Sequence, residues 1–203
     1  MSLALSWLAT LLRIYAGFAG RARQVPEPLS LYEFEGCPHC RLTREALSEL
    51  GLTHTVYPCP KGGQRFRPWV ESEGGKAQFP WFHDPSAGVR MYESADIAFY
   101  LFRRYGNGVP LWWWLTPIHR YFSILATLPR MAQGVMARPV PQGEKKVRLT
   151  GAERHPGVRL VRERLCEMEW CYECVPASGE PVLNIDGEEI RGSTAILKAL
   201  RRQ

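Results

Sequence analysis

A chain of 203 residues with 45% apolar and 23% charged content has the make-up of an ordinary globular protein, long enough to bury one sizeable core or two small ones. Six scattered cysteines are too few for a disulfide-stapled scaffold, so a closely spaced pair reads as chemistry rather than framework. The net charge of +6 comes mostly from arginine. Where the arginines of residues 159–164 interleave with Glu163 and Glu167, the pattern predicts a solvated helix face and no nucleic-acid partner.

Residues 1–28 read as an N-terminal helical extension. The first twenty are largely apolar and carry one charge, Arg13. No basic residues precede the apolar run, which argues against a secretory leader, and Arg13, Ser2, Ser6 and Thr10 make a poor membrane span. Leu5, Leu8, Leu12 and Tyr15 recur at helical spacing, predicting a helix packed on the fold; contact with a membrane surface is the less favoured alternative. The expected location is cytoplasmic.

Residues 29–34 form a short apolar strand, followed by Cys37-Pro38-His39-Cys40 and an amphipathic helix over 38–50. Two cysteines three apart in the first helical turn share a face and lie close enough for a disulfide. Free N–H groups and the partial positive charge of the helix start favour ionisation of the outer sulfur, Cys37. A thiolate is the nucleophile of thiol–disulfide exchange, and Cys40, one turn on, can resolve a mixed disulfide. Pro38 suits the first helical position, where its missing N–H costs nothing. His39, as an imidazolium, would favour the thiolate further. The alternative of half a metal site needs a second cysteine pair at workable spacing. Cys166, Cys171 and Cys174 lack the fourth ligand of an iron–sulfur pattern and read as small buried hydrophobes, so no metal is expected.

After Gly51, residues 53–57 read as a strand and 64–73 as a short helix between glycine pairs. A hairpin over 81–83 and 89–92 follows, then a helix capped by Ser94 with Ile97, Ala98, Leu101 and Phe102 on one face. This βαβαββα order over residues 29–106 is that of the thioredoxin fold, and Phe79-Pro80 falls where that fold places a cis proline facing the cysteines. Only an X-Pro bond adopts cis at small cost. Residues 107–143 read as a tryptophan-rich apolar helical connector, with Trp112-Trp113-Trp114 plugging between domains and Ile118, Phe122, Leu125 and Leu128 on the following helix. A partner or membrane site is the minority reading of that segment.

The remaining stretch, 144–203, is an internal repeat. Shifted by 118 residues, Arg41-Leu42-Thr43-Arg44-Glu45 lies on Arg159-Leu160-Val161-Arg162-Glu163, and six of the twelve positions 41–52 are identical. Pro80 corresponds to Pro181, Ser94 to Ser193 and Ile97 to Ile196. Cys37 and Cys40 fall on His155 and Val158, so the second copy has no dithiol. The predicted architecture is α/β: two thioredoxin-like domains in tandem, the second truncated, joined by the connector.

With residues 31–40, 58–62, 78–80 and 92–97 in view, the chain resembles the glutathione S-transferase N-terminal-domain and glutaredoxin-like branch of the thioredoxin superfamily, and more closely its tandem-domain members. The resemblance implies that the backbone of Phe79, before Pro80, pairs with the cysteinyl unit of glutathione and that Glu93 and Ser94 receive its γ-glutamyl end. Ser94 at a helix start can present a hydroxyl and free N–H groups to a carboxylate. Lys61, Arg65 and Lys76 sit in loops that can reach the glycyl carboxylate. Full transferases add a long helical domain absent here, and Gly192-Ser193 replaces the Glu-Ser pair in the second copy, which reads as a structural or partner-binding half. The resulting expectation is a glutathione-linked thiol–disulfide oxidoreductase with Cys37 attacking, Cys40 resolving and His39 assisting, its partners being glutathione and protein or small-molecule disulfides. The Pro-His pair is shared with strongly oxidising relatives, which implies a couple more oxidising than that of thioredoxin. A non-catalytic glutathione-binding or scaffold protein is the alternative, a transferase the third.

Overall fold

A computed structural model describes residues 3–11, 17–127, 133–138, 140, 143 and 145–203. Leu12 and Tyr15 of the predicted apolar face, with Arg13, Leu128 and Glu144, lie outside them. In chain order the elements are α1 (Leu3–Leu11), β1 (Leu29–Glu33), α2 (Pro38–Glu49), β2 (His54–Pro58), α3 (Arg67–Gly74), β3 (Trp81–Asp84), β4 (Val89–Met91), α4 (Ser94–Tyr105), α5 (Thr116–Thr127), β5 (Val147–Thr150), α6 (Pro156–Glu167), β6 (Tyr172–Val175), β7 (Val182–Ile185), β8 (Glu188–Arg191) and α7 (Ser193–Leu200). Short 3-10 turns occupy Pro85–Ala87 and Leu111–Leu115.

The strands form one sheet in the order β4-β3-β1-β2-β6-β5-β7-β8. From β1 to α4 the elements follow the predicted βαβαββα sequence, with β1 parallel to β2 and antiparallel to β3, a thioredoxin-like arrangement. Residues 147–200 run β5, α6, β6, β7, β8, α7, the same order without a described counterpart of α3. The two stretches meet edge to edge: β2 pairs antiparallel with β6, Val56 opposite Tyr172. Leu29, Leu31, Leu42, Leu47, Phe82 and Leu101 form one apolar core, and Leu149, Val161, Leu165, Leu183 and Ile196 another.

That edge pairing brings α2 and α6 together, and it overturns the expectation of a solvated face on residues 159–167. Arg159, Arg162, Glu163 and Glu167 are all buried. Arg44 Nε lies 3.1 Å from Glu153 and Arg162 Nε 3.0 Å from Glu35; Arg44 also reaches Glu35 at 3.3 Å and Arg162 reaches Glu153 at 2.7 Å. Arg44 additionally pairs with Glu33. Residues 118 apart thus swap partners across the join. The same exchange governs the backbone, where Glu153 N–H donates to Ser48 Oγ at 3.3 Å and Glu35 N–H to Cys166 Sγ at 3.4 Å. Buried this deeply, Arg44, Arg162, Glu35 and Glu153 are held as ions by these pairings and hydrogen bonds.

The helices α1 and α5 differ most from expectation. α1 packs on α6 and α5 on α2. Ser6 Oγ donates to the Pro156 carbonyl at 2.9 Å, and Ser123 Oγ donates to the Pro38 carbonyl at 2.6 Å. In sequence, Ser6-Trp7-Leu8-Ala9-Thr10-Leu11 and Ser123-Ile124-Leu125-Ala126-Thr127-Leu128 match in five of six places at an offset of 117, a second repeat that hydrophobic spacing does not reveal. The face that α1 buries is Ser6, Ala9 and Thr10, not its leucines. The reason is Arg159, fully buried beneath it, whose Nη1 donates to Ser6 O at 2.8 Å and to Thr10 Oγ1 at 3.0 Å. A hydroxyl face satisfies that guanidinium and an apolar one does not. The tryptophans do not plug between two domains either. Trp113 alone of the three is buried, against Phe102 with its Nε1 donating to Glu49, whereas Trp112 and Trp114 are exposed. Among the described residues no helix is long and apolar enough to cross a membrane.

Candidate functional site

β1 delivers the chain to Cys37, which caps α2 with extended backbone (φ −83°, ψ 121°), and Pro38 opens the helix. The Cys37 sulfur accepts the Cys40 N–H at 3.3 Å. The loop before it is tightly held: Gly36 N–H donates to Gly134 O at 3.3 Å, and a Cβ on Gly36 would lie 2.3 Å from Val135. Only glycine lets residues 133–135 approach so closely.

The two sulfurs are electrostatically unlike. A hydrogen bond from the Cys40 thiol holds Cys37 below the ordinary thiol range, aided by the N–H groups of Cys40 and His39, while burial and Glu33 oppose. Burial pushes Cys40 well up, and its bond to Cys37 adds to this. Of the two, the outer sulfur is the readier to ionise and the inner one holds its proton more firmly. His39 departs from expectation. Burial and the nearby charge of Arg120 lower it, with Glu93 opposing, so the neutral imidazole is favoured and the helix start and Cys40 carry the support expected of an imidazolium.

The Phe79–Pro80 bond is cis. Phe79 packs in one buried cluster with Cys37, Cys40, Cys59, Tyr32, Val70 and Trp81. Gln78 Nε2 donates to Glu93 Oε1 at 2.5 Å, tying the proline loop to the residue before α4, where Ser94 is the buried first helical residue. Cys37, Pro38, His39, Cys40, Phe79, Pro80, Glu93 and Ser94 are thus neighbours. Lys61 is placed differently: it is exposed, and its backbone pairs with Val135 and Ala137 at 2.6 and 2.9 Å. Two cations flank the proline loop: Arg67, whose guanidinium lies 4.7 Å from the Phe79 ring centre while its Nε donates to Pro60 O at 3.1 Å, and Lys76, whose carbonyl accepts the Gln78 N–H at 2.9 Å and whose Nζ lies 4.5 Å from the Tyr92 ring centre. Arg65 is anchored away from it, on the Glu169 carbonyl at 3.3 Å. An arginine opening α3 next to an aromatic residue is a signal visible in sequence that loop lysines obscured.

Two further residues escaped the sequence reading. Glu33, at the end of β1, is fully buried and driven up to about 7 by burial, Arg44 opposing; its charge acts on both cysteines. Ser123 holds the first turn of α2 from α5, and only the second repeat points to it. Of the remaining cysteines Cys59 packs with the pair, whereas Cys166 donates to Gly134 O at 3.3 Å, Cys174 is buried in β6 opposite His54, and Cys171, expected as a buried hydrophobe, is only half-buried. Among the described residues no three His, Cys, Asp or Glu side chains gather as a metal site.

Residues 31–108 match the family model described as glutathione S-transferase, N-terminal domain. No curated protein and no solved structure matches the chain. The match takes in the dithiol, the cis proline and the Glu93–Ser94 pair, and it supports a thioredoxin-like domain of that kind over this segment.

Proposed function

We propose that this chain, whose residues 31–108 form a thioredoxin-like domain of the glutathione S-transferase N-terminal kind, is a glutathione-linked thiol–disulfide oxidoreductase. One observation carries the reading: Cys37 caps α2 with its sulfur bonded to Cys40 and its pKa lowered, beside the cis Phe79–Pro80 bond. The Cys37 thiolate attacks one sulfur of a substrate disulfide, a Cys37–S–S–R bond forms as the substrate S–S bond breaks, and the other half leaves as a thiolate that takes up a proton. Cys40, once deprotonated, attacks the Cys37 sulfur, releasing the second substrate thiol and leaving a Cys37–Cys40 disulfide. Two glutathione molecules reduce that bond in turn and leave as glutathione disulfide, so two electrons pass from glutathione to substrate. The Phe79 backbone, Glu93 and Ser94 would receive the tripeptide, and Arg67 replaces Lys61 as the candidate for its glycyl carboxylate.

The fold supports a tandem reading of the chain, with residues 29–106 as the active unit and 144–203 as a truncated copy. The exchanged pairs Glu35–Arg162 and Glu153–Arg44 are what two related units joined edge to edge would produce. A lowered Cys37 pKa stabilises the dithiol and so favours a potential above the ~−270 mV of thioredoxin.

The test is glutathione-dependent reduction of a small mixed disulfide. Cys37→Ser is expected to fall to background, and Cys40→Ser to keep activity on glutathione mixed disulfides while losing it on protein disulfides. An inactive parent that still binds glutathione would leave the scaffold reading standing, which the 5% exposure of Cys37 favours.

A further inference from the structure

The helices α1 and α5 are turned inside out. Each buries small residues (Ser6, Ala9 and Thr10 in one, Ser123 and Ala126 in the other) and leaves its large apolar side chains in solvent. Trp7 is 52% exposed, Leu11 57%, Leu111 83%, Trp114 56%, Tyr121 61% and Ile124 45%. The two helices touch, and α5 continues directly from the 3-10 turn at Leu111–Leu115, so these side chains belong to one surface. Isolated exposed leucines are unremarkable, but a continuous apolar face drawn from three adjacent elements marks a contact.

The charge around that surface identifies the contact. The elements of the face, Leu3–Leu11 and Leu111–Thr127, contain one arginine, Arg120, and no aspartate or glutamate. Arg120 on α5 is exposed, and Arg103 and Arg104 close the last turn of α4. Two copies of such a face would set arginine against arginine with no carboxylate to pair, which disfavours self-association. An anionic bilayer offers the complement: acyl chains for leucine and isoleucine, the headgroup boundary for tryptophan and tyrosine, and phosphate for arginine.

We propose that the outer face of α1, the Leu111–Leu115 turn and α5 lies on the surface of an anionic lipid bilayer, with the helices in the plane of the interface. This rests on the surface alone and not on the redox reading. Ser123 ties α5 to the first turn of α2, so docking would hold the Cys37 helix start close to the membrane.

The experiment is co-sedimentation of the full chain with vesicles of phosphatidylcholine alone and of phosphatidylcholine with phosphatidylglycerol. Binding is expected to the anionic vesicles, weakened by added salt, and Trp7→Glu together with Ile124→Glu is expected to reduce it by about tenfold or more, since each removes apolar contact and adds repulsion. Both side chains are exposed, so the thermal melt should not move. The salt and lipid dependence of the unaltered chain reads the same contact should the variant fold poorly. Absence of binding to anionic vesicles, equal binding to both lipids, or variants that bind like the parent would each overturn the proposal. So would a concentration-dependent dimer broken by the same substitutions, which would make a second copy the occupant.

Discussion

The starts of α2 and α6 are built alike and equipped differently. Cys37 and His155, 118 residues apart, both cap their helices with extended backbone (ψ 121° in each), and Pro38 and Pro156 follow as first helical residues. The cap atom accepts the N–H three residues on in both cases, Cys40 to the Cys37 sulfur at 3.3 Å and Val158 to His155 Nδ1 at 3.3 Å. A serine hydroxyl from another helix closes on the proline carbonyl in each, from α1 on Pro156 and from α5 on Pro38. The scaffold of a helix-start site is therefore independent of the chemistry it carries. Sulfur at the cap and a second sulfur a turn behind make the first a redox candidate; imidazole and valine make the second a plain cap.

The most damaging way to break the comparison is at the join. Arg162→Met leaves Glu35 and Glu153 buried with Arg44 as their shared cation, and a loss of about 3–5 kcal/mol is expected in urea unfolding. Arg44→Met should cost more, because Arg44 also serves Glu33. Equal losses, or the reverse order, would show that Glu33 adds nothing to what Arg44 contributes.

Acidity separates the same carboxylates. Burial would raise Glu35, yet Arg162 and Arg44 hold it at about 2. Its folded value lies below its unfolded one, so its contribution is complete above the ordinary 4.5 and is lost as pH falls towards 2. Glu33 runs the other way: raised to about 7, it contributes fully below 4.5 and the contribution is lost as pH rises through 7. Glu35→Gln is expected to flatten the acid limb of a stability–pH curve and Glu33→Gln the limb between 4.5 and 7. Unfolding free energies measured from pH 3 to 8 decide it.

A smaller change sharpens the difference between the two helix starts. The Cys40 thiol is the largest influence lowering Cys37, so Cys40→Ala is expected to move the midpoint of Cys37 alkylation upward while leaving the backbone cap intact. An unmoved midpoint would assign the anion to the helix start alone, a resource that His155 shares.

The order from β1 to α4 was legible because each boundary carries its own local signal: Cys37-Pro38 for a helix start, Gly51 for a stop, Phe79-Pro80 for the turn into β3. The dithiol and its proline loop followed from spacing for the same reason. What lay hidden was tertiary. Interleaved Arg162 and Glu163 look identical in sequence whether a helix faces water or its own counterpart, and only the β2–β6 pairing decides. The leucine spacing of α1 correctly marks an apolar face, but which face is buried was set by Arg159 demanding the hydroxyls of Ser6 and Thr10. Lys61 and Arg67 are alike in sequence as basic residues on either side of one loop, and only the structure sets Arg67 against the Phe79 ring.

His39 gives the finest test, because the expectation and the structure disagree about it. If an imidazolium helped to hold the Cys37 thiolate, replacing it by glutamine would raise the alkylation midpoint. With burial and Arg120 lowering its pKa, His39 is mostly neutral at pH 7 and has no charge to offer the sulfur. His39→Gln is therefore expected to leave the midpoint in place, and Arg120→Gln, which removes one of the influences depressing the imidazole, should raise the His39 titration followed by NMR. The backbone N–H of His39 still points at Cys37 in the variant, so any movement of the sulfur's midpoint belongs to the ring alone. A raised midpoint in His39→Gln would restore the imidazolium, and would mean that Glu93 outweighs burial and Arg120 at this helix start.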